Sequence, residues 1–200
     1  RVEAEAIREQ APGGGDQGCL LLARPLAPPS LGAVVAGLAD REQAVVLLLD
    51  RVQDPHNLGS CLRTAACFGA AAVVVPRRRA AALTPAAVKA ASGAAERLPV
   101  VAVGSLLDAA ERLRGAGFWL YAAEEGAPRP AWEADLTGRV ALILGGEGGG
   151  VRQSLLRAAD ATLHLAPPGP FATLNVAAAT AALLYEAARQ RAVDLPRGRV

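Results

Sequence analysis

Apolar and polar positions alternate along this chain in blocks rather than residue by residue. Val45 to Leu49, Ala72 to Val75, Pro99 to Val103, Phe118 to Ala122, Val140 to Leu144 and Ala161 to Leu165 are short runs dominated by Val, Leu, Ile and Ala. Runs of that length without internal alternation suit strands buried on both faces. Between them the spacing turns helical: Leu58 to Phe68, Ala86 to Ala95 after Thr84-Pro85, Ser105 to Arg114 before Gly115 and Gly117, Arg152 to Ala159, and a long Ala-rich stretch from Asn175 to Arg191. Ser, Thr and Asn at the starts and Gly at the ends are the expected caps. Strands and helices in this alternation predict an α/β domain, a mostly parallel sheet flanked by helices. Glu124 to Thr137, which carries Trp132, reads as a loop.

Residues 1 to 43 read differently. Ala11 to Asp16 is turn-rich, Cys19 to Ala23 could form a short strand, Pro25, Pro28 and Pro29 interrupt it, and Leu31 to Leu38 suits a short helix capped by Ser30. This segment is expected to be a linker, the remnant of an N-terminal extension. The main domain is expected over 44–193 and a tail over 194–200.

Composition narrows the classes. A chain of 200 residues that is 52% apolar can bury one sizeable core. No apolar run reaches the roughly 18 residues of a membrane span, so a cytoplasmic protein is expected. The chain opens on Arg1 and holds no Met, which suggests a piece of a longer product. Net charge is only +2, so contact with nucleic acid would have to be local, and Arg77-Arg78-Arg79 is the one dense basic cluster. Cys19, Cys61 and Cys67 show neither disulfide nor zinc spacing, and Cys61 and Cys67 are expected to pack as small apolar residues. No His, Cys, Asp and Glu cluster has metal spacing, so no metal is expected. His56 suits a local hydrogen bond in its Pro-His-Asn turn, and His164 suits a satisfied buried histidine.

Chemistry concentrates at strand ends. Asp54-Pro55-His56-Asn57-Leu58-Gly59 follows the first strand, Gly145 to Gly150 the fifth, and residues 166–175 the sixth, all at the carboxyl edge where open α/β sheets bind ligands. A dinucleotide fingerprint is disfavoured. It belongs after the first strand, its third glycine would fall on Val151, and Glu147 would repel a pyrophosphate.

Asp54-Pro55-His56-Asn57-Leu58-Gly59 with Arg63 and Ala65, Leu144-Gly145-Gly146-Glu147-Gly148 with Gly150, and Thr173-Leu174-Asn175-Val176-Ala177 resemble, in order, the three motifs of the SpoU (TrmH) branch of the SPOUT RNA methyltransferases. The resemblance covers about residues 44–192. Within the branch, the first motif and Asp16-Gln17-Gly18 are most similar to members acting on a guanosine of 23S rRNA. It implies a deep C-terminal trefoil knot, a homodimer that completes each site, and transfer of a methyl group from S-adenosylmethionine to a ribose 2′-hydroxyl of RNA. By the same resemblance Gly145, Gly146, Leu165, Thr173 and Leu174 would hold the cofactor, and Asn57, Arg63, Glu147 and Asn175 would be catalytic. Arg63, Arg77, Arg78 and Arg79 would meet RNA. Thr173 stands where such proteins usually carry Ser, and Pro167-Pro168-Gly169-Pro170 is richer in proline than the usual loop.

The family's motif-one arginine is a candidate proton acceptor, but a guanidinium with a pKa above roughly 12 is a poor base. Arg63 is better suited to clamp a phosphate through its planar fork, with Glu147 fixing nearby donors and Asn57 and Asn175 holding Arg63, the loops and the ribose. The other readings are the same reaction on tRNA or another rRNA site, a catalytically dead RNA-binding or assembly protein, and an NAD-binding oxidoreductase.

Overall fold

The computed structural model describes residues 4–10, 19, 27–78, 80–146, 148–165 and 173–192. The elements run α1 (Ala4–Gln10), α2 (Leu31–Gly37), β1 (Ala44–Asp50), α3 (Pro55–Cys67), β2 (Ala72–Pro76), α4 (Pro85–Ala91), β3 (Val100–Val103), α5 (Leu106–Gly115), β4 (Trp119–Ala123), β5 (Arg129–Pro130), β6 (Arg139–Gly145), α6 (Gln153–Ala158), β7 (Ala161–His164) and α7 (Val176–Arg191). A single 3₁₀ turn, Ala131–Glu133, separates β5 from β6. The candidate strand from Cys19 to Ala23 lies, but for Cys19, outside the described residues.

The strands form one seven-stranded sheet in the order β3-β2-β1-β6-β4-β7-β5, and all its pairings are parallel. The core lies on both faces, which is why the strands read as unbroken apolar runs. Val45, Leu47 and Leu49 of β1 face one layer with Leu58, Leu62, Ala87, Leu183 and Leu184, from α3, α4 and α7. Val46 and Leu48 face the other with Leu31, Leu106, Leu113 and Leu155, from α2, α5 and α6. Leu47, Leu48 and Leu49 are wholly buried, and burial of each such side chain is worth about 1.5–3 kcal/mol.

Caps follow the sequence pattern. Ser30, Thr84 and Ser105 accept from Ala33, Ala87 and Asp108 backbone amides, and Asp54 accepts from His56 N at 3.0 Å. Three expectations need correction. The helix expected to run to Ala95 ends at Ala91, because Ser92 (φ 50°) and Gly93 (φ 86°) are successive left-handed residues that stop it. The expected loop from Glu124 to Thr137 contains β5, an edge strand of only two residues paired with β7. Cys61 is buried, its Sγ 3.4 Å from Thr180 Oγ1, but Cys67 is exposed. Six residues apart on one helix, their side chains point about 120° apart.

Helix α7 runs from the carboxyl ends of the strands toward the starts of β1 and β6. Val176, Thr180, Leu183, Leu184 and Ala187 form its buried stripe at helical spacing. At its far end Gln190 accepts from Leu136 N at 2.8 Å and donates to Ala134 O at 2.9 Å, while Arg191 donates to Leu136 O and Gly138 O at 3.0 and 3.1 Å. Burial draws the Arg191 pKa below the ordinary guanidinium value. These bonds tie the end of α7 to the segment entering β6, leaving its start at the carboxyl edge.

Candidate active site

The carboxyl ends of β6, β4 and β7 open into a cleft of about 690 Å³. Its walls come from the ends of those strands and the chain that follows them. Leu144, Gly145 and Gly146 lead into Gly148 to Val151; Leu163, His164 and Leu165 form a second wall, and Thr173 to Val176 a third. Glu124 and Glu125 stand at its side, and no Lys or Arg is among its described lining residues. Side chains with apolar surface and exposed main chain suit a flat, partly apolar ligand. Two carboxylates with no Lys or Arg among the described lining residues suit a ligand carrying positive charge and would repel a pyrophosphate.

The glycine loop is shaped by close backbone contact. A Cβ at Gly145 would collide with the backbone of Gly150 and Val151; one at Gly146 would collide with the Arg51 carbonyl oxygen and sit 2.7 Å from its carbon. Gly148 and Gly150 adopt φ of 79° and 53°, the left-handed region that glycine enters without steric cost. Gly146 N donates to Asp50 O at 2.8 Å, so the first loop residue is bonded to the end of β1.

Asp50, the last residue of β1, belongs to none of the sequence motifs, yet it is a buried carboxylate and the anchor of this region. Its Oδ2 accepts from Arg152 N and Arg152 Nε at 3.0 and 3.1 Å, and its Oδ1 lies 2.8 Å from Arg152 Nη2. One carboxylate thereby holds both the main chain and the side chain of the residue that caps α6.

The starts of α3 and α7 meet beside the cleft. Asn175 caps α7 by accepting from Ala177 N at 2.8 Å and donates through Nδ2 to Asn57 Oδ1 at 3.1 Å. Arg63 is not part of this pair, contrary to expectation. Its exposed side chain turns to the end of α4, Nη1 lying 3.4 Å from Ser92 Oγ, and it does not line the cleft. Arg63 follows Asn57 by six residues of helix, about 120° around the axis, so the two leave α3 on different faces.

Gly145, Gly146, Leu165, Thr173 and Leu174 all line the cleft. Glu147 and Arg79 fall outside the described residues, as do 166–172. Arg77 and Arg78 are exposed beyond β2, and Arg77 Nε donates to Ala102 O at 3.2 Å. His56 makes its turn bond through its backbone amide. His164 is not the buried histidine expected: as the last residue of β7 it is half-buried, lines the cleft and meets Trp132 edge-on at 6.3 Å.

The profile of the SpoU rRNA Methylase family matches residues 44–185. A 23S rRNA (guanosine-2′-O-)-methyltransferase RlmB from Xanthomonas campestris is 45% identical over 157 residues, covering 78% of this chain and 63% of that protein. The chain thus spans less than two thirds of that relative. RlmB from Vibrio cholerae is 36% identical over 190 residues, covering 95% of this chain and 77% of its own length. Among solved structures, the SpoU methyltransferase AviRb from Streptomyces viridochromogenes in complex with AdoMet is similar with a TM-score of 0.72 at 32% identity, over 79% of this chain and 64% of that one. AdoMet-bound rRNA methyltransferase from Sinorhizobium meliloti is similar with a TM-score of 0.72 at 27% identity, over 83% and 61%. Three motifs at the carboxyl edge of one parallel sheet and a profile that spans most of the chain lead to one assignment: this chain belongs to the SpoU rRNA methylase family.

Proposed function

We propose that this protein is an S-adenosylmethionine-dependent methyltransferase acting on a ribose 2′-hydroxyl of RNA, a guanosine of 23S rRNA by its likeness to the RlmB proteins. The observation that carries the reading is the charge balance of the cleft: Glu124 and Glu125 with no Lys or Arg among the described lining residues. A sulfonium and an ammonium suit that balance. The two phosphates of NAD do not, which weighs against the oxidoreductase reading.

Bound there, S-adenosylmethionine would supply an electrophilic methyl group to the ribose 2′-oxygen, its sulfur leaving as a neutral thioether and the hydroxyl proton passing to solvent water. The chain's own task is then binding and positioning. Gly145, Gly146, Leu165, Thr173 and Leu174 hold the cofactor through main chain and apolar contact. Asn57 and Asn175 fix the starts of two helices at the ribose. Arg63 meets the RNA backbone with its planar fork, Arg77, Arg78 and Arg79 extend the phosphate contact, and Glu147 fixes nearby donors. The chemistry uses no metal ion.

The catalytic domain is residues 44–193, with 1–43 as linker and 194–200 as tail. A C-terminal trefoil knot is part of the same reading, supported by the insertion of β6 between β1 and β4. So is a homodimer, supported by Arg63 turning away from its own cleft and by the exposed edge-to-face pair of Phe68, just past α3, and Tyr185 of α7. No helix among the described residues is long and apolar enough to cross a membrane, which suits a cytoplasmic protein working on ribosomal RNA.

Calorimetry with S-adenosylmethionine and with NAD separates the enzyme readings, and 2′-O-methylation mapping of rRNA and tRNA from cells lacking the gene identifies the substrate. Binding of NAD alone, or an unchanged methylation map, would overturn the proposal. Arg63→Lys is expected to lower turnover on RNA strongly; near-normal turnover would remove the fork argument.

A further inference from the structure

Arg51 is a conformational exception next to the cleft. It is a non-glycine residue with φ of 56°, a region that L side chains rarely occupy. Such a conformation persists where surrounding contacts over-determine it, and here they can be named. Arg51 Nη2 donates to Gly149 O at 3.2 Å and to Gly150 O at 3.1 Å, across 98 and 99 positions of chain. Its Nε lies 3.7 Å from the buried Asp50 carboxylate, which aligns the guanidinium, and its own carbonyl is packed under Gly146. Arg51 does not line the cleft. It grips the glycine loop from behind.

We propose that Arg51 is a positioning residue: a latch that holds Gly148 to Gly150 in the cofactor-accepting form. The left-handed backbone at residue 51 aims the side chain at carbonyls that would otherwise be left to water. Those carbonyls belong to the stretch in which Gly148 and Gly150 have positive φ, where an untethered loop has many conformations to lose on binding. Fixing it beforehand removes that cost from ligand binding. The effect on affinity rests on the reading of the cleft as an S-adenosylmethionine site; the latch itself does not.

The test uses the full chain as wild type, Arg51→Gly and Arg51→Lys. Glycine suits the left-handed backbone and removes the side chain, whereas lysine keeps the charge without the fork. Hydrogen exchange of the amides from Gly148 to Arg152 in ligand-free protein is expected to rise about tenfold in Arg51→Gly, with an intermediate rise in Arg51→Lys and no change in β2. The dissociation constant for S-adenosylmethionine is expected to rise about tenfold in Arg51→Gly, while Tm stays level or rises. Unchanged loop exchange in Arg51→Gly would overturn the latch. Faster loop exchange with unchanged affinity would overturn its role in binding. If the wild type binds no S-adenosylmethionine, the cofactor reading fails and the exchange result alone decides the latch.

Discussion

Asn175 and Asn57, 118 positions apart, are joined by a 3.1 Å hydrogen bond in which Asn175 Nδ2 donates to Asn57 Oδ1. The orientation follows from chemistry. The oxygen of the Asn175 amide must face Ala177 N to cap α7, which leaves only its nitrogen for Asn57. The two ends of one side chain thus serve a helix and a site.

These two roles separate by mutation. Asn175→Ala loses both and is expected to cost about 1 kcal/mol of stability. Asn175→Ser keeps a cap but cannot reach Asn57, so its thermal denaturation should stay within about 0.5 kcal/mol of wild type. Methyl transfer to RNA should fall at least about tenfold in both, since positioning is what both disturb. Full turnover in Asn175→Ser would show that the pair serves only the fold.

The Asp50 and Arg152 pair should respond asymmetrically. The Asp50 side chain is 0% exposed and that of Arg152 41% exposed. Arg152→Leu leaves the buried carboxylate with only the residue 152 backbone amide and the 3.7 Å contact to Arg51 Nε and is expected to cost about 3 kcal/mol, whereas Asp50→Asn leaves a guanidinium that water can reach and should cost about 1–2 kcal/mol. Urea denaturation of the two variants checks the order.

Gly59 lies in the first motif, yet its surroundings explain it by packing alone. A Cβ there would sit 2.5 Å from Ala87 O and 2.5 Å from Ala90 Cβ, where α3 and α4 cross. Gly59→Ala is expected to destabilise by about 2 kcal/mol or more, read as a lower Tm. Undiminished stability with weakened ligand binding would return Gly59 to the site.

Tyr121 should titrate late. Burial raises its phenol pKa, and the nearby Asp135 carboxylate raises it further. A group whose pKa is higher folded than unfolded contributes stability that is complete below the unfolded value near 10 and is lost as pH rises through the folded value. Ultraviolet titration should therefore place Tyr121 above free tyrosine. Tyr121→Phe, which leaves Asp135 O without the 2.9 Å bond from the phenol, should abolish that late phase.

The sheet and its helices were legible because strands covered on both faces must be apolar at every position, as Val45 to Leu49 are. The edge strand β5 was not: Arg129 and Pro130 carry no apolar signal and are a strand only because β7 lies beside them. That Gly145, Gly146 and Asn175 meet at one strand edge was readable because glycine and a capping Asn act through main-chain geometry close to their own position. Asp50, Arg51 and Arg152 were not, since their value comes from contacts about a hundred residues away. For Arg63 the helical period already separated it from Asn57, and motif order obscured that.

Because α7 is moored at Leu136 and Gly138 by Gln190 and Arg191 and carries Asn175 at its other end, the pocket is assembled from the middle of the chain and its closing helix together. On the ribosome, strands β1 to β3 can pair while the remainder is still being translated. The cleft lacks one wall until Thr173 to Ala179 have joined the strands made before them. The long sequence separations of those contacts make closure of the site slower than pairing of the first strands.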